Sequence, residues 1–189
     1  MSIAEIGTED RRFMLGLARE TLLRSTAHLP RPEVQVISEA LKAWRACFVT
    51  LTYNGTLRGC VGQLISERPL FEAVIENVLR AASRDPRFPP LQPGELENIK
   101  IEITIVTEPR ELSFATPEEL LGLLEPHQHG VLLRLGPAIA TFLPQVWEQI
   151  PDKIQFLERL SQKLGASPGA WRGKEACVSV FRAEWFEEN

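Results

Sequence analysis

Ala46-Cys47-Phe48-Val49-Thr50-Leu51-Thr52-Tyr53-Asn54-Gly55-Thr56-Leu57-Arg58-Gly59-Cys60-Val61-Gly62-Gln63 is the stretch that decides the fold class. Residues 46–53 are rich in β-formers. Asn54-Gly55 then supplies the two positive-φ positions of a type I′ turn, and Thr56 to Gln63 reads as the return strand. A two-residue loop predicts a register in which Tyr53 faces Thr56, Leu51 faces Arg58, Val49 faces Cys60 and Cys47 faces Gly62. On that register Arg58 and Cys60 are neighbours on one face. Cys47 lies diagonal to Cys60 at roughly 7–8 Å, long for a disulfide.

Outward from the hairpin, helices and further strands follow from periodicity and punctuation. Thr8 followed by Glu9 and Asp10 predicts a helix start. Phe13, Met14, Leu17, Ala18, Thr21 and Leu22 carry its apolar face to about Ala27. Pro69 to Asp85 is a second helix, with Leu70, Phe71, Val74, Val78 and Ala82 on one side and Pro86 as its stop. Ile99, Ile101, Ile103 and Ile105 alternate with Lys100, Glu102 and Thr104, a strand with one buried face. Thr116-Pro117-Glu118-Glu119 is a capping box opening a short helix to about Leu124. Strands at Val131 to Leu135 and Ala138 to Leu143 flank a Gly136-Pro137 turn. Asp152 with Gln155 caps a helix that buries Phe156, Leu157, Leu160 and Leu164 and ends at Gly165. Cys177 to Phe186 reads as one last strand. The order α-β-β-α-β-α-β-β-α-β lacks regular βαβ units, which predicts an α+β fold of mainly antiparallel or mixed sheets with flanking helices.

A chain of 189 residues can bury a core without disulfides or metals, as one domain or as one domain with two lobes. Hydrophobic residues at 44% and charged residues at 24% exclude disordered, collagenous and coiled-coil classes. A net charge of -4 gives no long-range attraction to phosphate backbones, so nucleic-acid binding is not expected. No apolar run reaches the ~18 residues of a membrane helix. The start of the chain, with Glu5, Glu9 and Asp10, lacks the basic flank and apolar core of a signal peptide. Cys47, Cys60 and Cys177 form neither a disulfide framework nor a zinc spacing. The expected setting is a reducing cytoplasm.

Four segments could carry chemistry. A guanidinium at Arg58 beside the Cys60 thiol would favour the reactive thiolate, and Gly59 and Gly62 would let a ligand approach the backbone. The same cysteine could equally be a small core residue, and the glycines could mark a bulge or close packing. Arg87, in Asp85-Pro86-Arg87-Phe88-Pro89-Pro90, could hold a carboxylate or phosphate in a stiff loop, or sit in a solvated ion pair. His127 and His129 would share a face on a strand, yet a metal would need further ligands that no nearby pattern supplies, so no metal site is expected. Gln145, in Phe142-Leu143-Pro144-Gln145-Val146-Trp147, could offer its amide to a ligand. Nucleotide-binding, serine-hydrolase and zinc-protease motifs are missing from the sequence, and no cofactor is indicated.

Taken together, Phe48-Val49-Thr50-Leu51, Leu57-Arg58-Gly59-Cys60-Val61-Gly62, Pro69-Leu70, Asp85-Pro86-Arg87-Phe88-Pro89-Pro90-Leu91, Glu95-Leu96, Ile101-Glu102-Ile103, His129-Gly130, Phe142-Leu143-Pro144-Gln145-Val146 and Phe156-Leu157 resemble the signature of the AMMECR domain family, whose microbial members are often labelled AmmeMemoRadiSam system protein A. The resemblance runs from about Ala46 to the C-terminus, and the first helix fits as well. It implies a single α+β domain over residues 1–189, with two lobes built by one chain. It also implies association with a Memo-type protein and a radical-SAM protein in a shared modification or metabolic pathway. It implies no particular reaction. Arg58, Gly59, Cys60 and Gly62 carry over as a site without assigned roles. One departure is Ser161, where the family often has cysteine in the late helix.

Two functions follow as expectations. One is a component that binds a small molecule or a protein partner, because the sequence offers no convincing general base. The other is an enzyme using Cys60 as nucleophile or thiol ligand and Arg58 to hold an anionic group, with Arg87 and His129 in support.

Overall fold

Asn54 and Gly55 adopt φ of 48° and 78°, the left-handed geometry that the tight turn demands, and the hairpin closes around them. The structure, a computed structural model, describes residues 6–36 and 38–189; Glu5 lies outside them. In chain order the elements are α1 (Thr8–Thr26), α2 (Glu39–Lys42), β1 (Ala46–Tyr53), β2 (Thr56–Gly62), α3 (Leu70–Ser83), β3 (Ile99–Val106), β4 (Arg110–Glu111), α4 (Pro117–Leu123), β5 (Gly130–Leu135), β6 (Ala138–Phe142), α5 (Val146–Gln149), α6 (Lys153–Lys163), β7 (Ala176–Phe181) and β8 (Ala183–Glu187). Two 3-10 turns, Pro93–Asn98 and Pro168–Arg172, precede β3 and β7. This is the α+β class, with two four-stranded sheets ordered β2-β1-β3-β8 and β4-β7-β5-β6.

The chain divides into two units, residues 1–107 with 184–189, and residues 108–183. In the first, the inward face of the sheet (Val49, Leu51, Ile101, Ile103, Ile105) packs with Met14, Leu22, Val74 and Val78 of α1 and α3 in one apolar cluster. In the second, Val131, Leu133 and Val178 pack with Phe156, Leu157 and Leu160 of α6, and the Trp147 and Phe156 rings stack 3.6 Å apart. Side-chain caps sit where the sequence put them. Thr116 Oγ1 accepts the Glu119 N–H, and Asp152 Oδ1 accepts the Gln155 N–H at 2.8 Å.

The structure corrects the sequence reading at four points. Thr8 is inside α1, and Gly7 is the cap residue without a side-chain bond; Phe13 is exposed rather than part of the buried stripe. The stretch from Cys177 onward is two strands, not one: β7 belongs to the second sheet and β8 to the first, with only Arg182 between them. His127 lies in a turn with φ of 64°, so the two histidines do not share a strand face. The hairpin register also changes. Tyr53 pairs with Thr56 as expected and Thr52 with Leu57, but Leu51 pairs with Gly59, Thr50 with Cys60, Val49 with Val61 and Phe48 with Gly62. Arg58 is the extra residue of a β-bulge, and beyond a bulge every side chain lands on the opposite face. Cys47 therefore points into the core while Cys60 points away from it, and the two thiols are not neighbours.

Candidate functional site

The signature residues of β2 owe their identity first to what packs on them. α3 crosses the inward face so closely that a Cβ at Gly59 would collide with the Ala81 carbonyl oxygen. At Gly62 a Cβ would collide with the Phe48 ring and the Cys47 carbonyl. Both glycines thus serve close packing within the chain. Gly130 shows the same device in the second unit, where the Phe181 ring lies over it.

β2 is an edge strand, and an edge exposes backbone donors and acceptors. At Cys60 that edge is closed by the loop after α3. The buried Asp85 carboxylate accepts the Cys60 N–H at 2.9 Å, while Arg87 Nη2 donates to the Cys60 carbonyl at 3.3 Å. Asp85 and Arg87 also grip each other, Nε to Oδ1 at 2.9 Å and Nη2 to Oδ2 at 2.6 Å. Pro86 stands between them and stiffens the spacing. The Arg87 guanidinium is the largest cause holding the Asp85 carboxyl far below the usual carboxylate range.

Arg58, set by the bulge, forms a second fork. Its Nε and Nη2 donate to the two carboxylate oxygens of Glu95 at 2.7 and 3.0 Å, and this lowers the Glu95 pKa. Glu95 in turn accepts the Gln92 N–H at the start of the 3-10 turn. The Phe88 ring receives both guanidiniums, Arg58 at 5.8 Å and Arg87 at 5.5 Å from its centroid. Arg58 Nη1 is buried without an acceptor among the described residues.

The outer face of the sheet carries the remaining polar groups. The register aligns Cys60, Thr50 and Glu102 across β2, β1 and β3. Thr50 Oγ1 donates to Cys60 Sγ at 3.4 Å, and Thr104 Oγ1 donates to Glu102 Oε1 at 3.2 Å. Burial is the main cause raising the Glu102 pKa. Cys60 is half-buried; Cys47 is fully buried, and burial pushes its thiol up to about 12.

Arg58, Gly59, Cys60, Gly62 and Arg87 thus lie together in the first unit, and His129 and Gln145 belong to the second. His129 is buried, its Nδ1 accepts the Glu125 N–H at 3.1 Å, and burial leads the causes lowering its pKa. Its carbonyl accepts the Trp147 indole N–H at 2.7 Å, so it ties the turn before β5 to α5. Gln145 Oε1 is buried without a donor among the described residues. Among the described residues no group of three or more His, Cys, Asp or Glu side chains could hold a metal ion, and no helix is long and apolar enough to cross a membrane.

The sequence reading did not count Asp85, Glu95, Thr50 or Glu102 among the site residues, although each lies in a segment it singled out. Signals for them exist: an acid two residues from Arg87 across a proline, an acid at the third position after Gln92, and the polar phase of the alternating strands. The arrangement is a rigid backbone frame around one half-buried thiol, with both nearby guanidiniums already matched to carboxylates.

The AMMECR1 family model matches residues 15–186. A protein of Methanosarcina mazei is 38% identical over 182 residues, which covers 94% of this chain and 90% of that protein. A Methanopyrus kandleri protein is 36% identical over 184 residues, covering 95% and 89%. The crystal structure of an uncharacterised protein from Pyrococcus horikoshii superposes with a TM-score of 0.87 at 30% identity, over 94% of this chain and 90% of that one. A match that spans both units, together with relatives aligned along almost their whole length, establishes that the chain belongs to the AMMECR1 family.

Proposed function

We propose that this chain is a binding component, taking up a protein partner or small molecule on the outer face of its first sheet around Cys60 and Thr50. We place it in a modification or metabolic pathway shared with Memo-type and radical-SAM proteins. The carrying observation is that both guanidiniums of the presumed anion site are occupied: Arg58 by Glu95 and Arg87 by Asp85. Anion binding by the Nε and Nη2 fork of Arg58 would require it to leave Glu95, whereas a rigid recognition surface uses the forks as they stand. The pathway rests on the family resemblance of the β2 and Asp85–Leu91 segments, and the two units are read as lobes of one domain. Three free thiols support a reducing cytoplasm as its setting.

The test is capture of the Memo-type and radical-SAM proteins by wild type, Cys60→Ser and Leu57→Asp. Leu57 is exposed on the hairpin beside the bulge. Capture that survives Cys60→Ser and is lost in Leu57→Asp supports the binding role. Capture by none of the three chains, with a small-molecule turnover abolished by Cys60→Ser, replaces it with the enzyme reading. That second reading has one observation in its favour: Arg58 Nη1 is buried and has no acceptor among the described residues, a donor that the Glu95 pair leaves over.

A further inference from the structure

The second unit has a groove of its own, of about 540 Å³, between the chain that leaves β4 and the chain that enters β7. Leu112, Phe114 and Pro117 supply apolar parts of its lining. Its polar groups are mostly donors. Lys174 lines the groove and makes no ion pair or hydrogen bond among the described residues, and the same holds for the Ser113 hydroxyl. Thr116 Oγ1 already accepts the Glu119 N–H, so its own proton remains to be given. The Arg172 guanidinium sits over the Trp171 ring, 4.1 Å from its centroid, and its Nη1 makes a long ion pair with Glu158 at 3.5 Å. The one carboxylate in the wall, Glu111, lies 3.7 Å from Arg134 of β5, which pairs across the sheet with Cys177.

We infer that this groove binds a small organic anion, a carboxylate or phosphate ester carried on a short apolar body. Unpaired donors beside apolar lining match a ligand that brings acceptors and negative charge at one end and hydrocarbon at the other. Lys174 supplies the charge, and Arg172 adds a second cation beside it, anchored on Trp171. Leu112, Phe114 and Pro117 take the apolar body. Lys174 distinguishes the groove from the Cys60 frame, where both nearby guanidiniums already have their carboxylates.

Cys177 lines the same groove and reports its occupancy. The experiment measures mass-resolved alkylation of Cys177 and Cys60 by iodoacetamide, in the full chain, with increasing phenyl phosphate, benzoate or benzyl alcohol. Calorimetry on the same solutions gives the affinity. The expected result is saturable slowing of Cys177 labelling by one or both anions, no slowing by the neutral alcohol, and an unchanged Cys60 rate. Lys174→Gln weakens the anion about tenfold, the loss of one charge-assisted contact, and Lys174→Arg restores it. Whichever anion protects at lower concentration identifies the headgroup. No protection by either anion at millimolar concentration, equal protection by the alcohol, or full affinity in Lys174→Gln overturns the inference. None of these results depends on whether Cys60 marks a partner surface, since that reading is tested by capture.

Discussion

Asp85 is the residue on which the β2 edge turns. It is almost fully buried and accepts hydrogen bonds from the Cys60 and Arg87 N–H groups and from the Arg87 side chain. Removing it leaves the Cys60 N–H without its acceptor and Arg87 without its counter-charge. Arg87 is half exposed and water can take it back, which moderates the loss. Asp85→Ala is expected to cost about 2–3 kcal/mol, seen as a Tm lower by roughly 5–10 °C. The pH sign follows from the depressed pKa. The unfolded carboxyl takes up a proton near pH ~3.9 while the folded one does not, so the contribution is complete at neutral pH and is lost as acid carries the pH down through the folded value. Wild type should therefore lose stability more steeply below pH ~4 than Asp85→Asn in urea melts; parallel curves would show that the fork contributes nothing. His129 adds loss of the same sign at higher pH, because its lowered pKa makes the unfolded imidazole protonate first as pH falls through ~6.5. The thiols separate at this scale too. Cys47, fully buried with its pKa pushed up to about 12, should resist alkylation in the native chain at pH 8, while the half-buried Cys60 and Cys177 react. Equal rates for Cys47 and Cys60 would contradict the register given for β1 and β2.

Elements were legible where local chemistry alone sets them. Asn54-Gly55, Thr116 and Asp152 announce a turn and two helix starts through their own side chains and backbone, and the Ile99 to Ile105 alternation shows which face is buried. The bulge at Arg58 was not legible, because Leu57 to Val61 alternates in the same way with or without an extra residue. What imposes it lies outside the hairpin: α3 must reach Gly59, and Arg58 must reach Glu95. The division after Phe181 was hidden for a similar reason. No glycine or proline marks it, and its partners are strands far away in sequence. The candidate site was legible as a set of residues but not as a geometry: Arg58, Cys60 and Arg87 do gather, yet the two arginines turn to Glu95 and Asp85, acids that were quoted in the sequence segments and given no place in the site. The packing account of Gly59 can be checked at element level. Gly59→Ala forces α3 away from β2 against backbone, which costs about 1–3 kcal/mol. Gly94→Ala meets open space and is expected to be near neutral, and Gly55→Ala should cost about 1–2 kcal/mol for its left-handed φ alone. Chemical denaturation of the three variants orders them; Gly59→Ala as mild as Gly94→Ala would remove the close approach of α3.

The whole molecule inherits an asymmetry from its topology. Residues 108–183 are one continuous piece that contains the four strands of its sheet and the α6 face that covers them. The first unit is interrupted: its fourth strand, β8, is made from residues that follow the second unit in the chain. β8 contributes Phe186 to the core, Glu184 accepts from Arg11, and beyond it Glu188 pairs with Arg19 and accepts the Ile101 N–H at 2.9 Å. Without that strand, β3 becomes an edge, and the two arginines of α1 lose carboxylates they reach across more than 160 positions of sequence. Contacts this distant form only after the loop between them is closed, and here that loop is the second unit itself. A chain of residues 108–183 should accordingly melt cooperatively on its own, while residues 1–107 alone should not. Joining residues 1–107 to 184–189 through a flexible Gly/Ser linker should restore the transition, since the linker replaces the second unit only as a loop closure. Circular dichroism melts of the three chains decide the matter. Cooperative unfolding of residues 1–107 without β8 would mean that the terminal strand decorates the first sheet, and that its buried phenylalanine and paired carboxylates contribute little to holding the frame around Cys60.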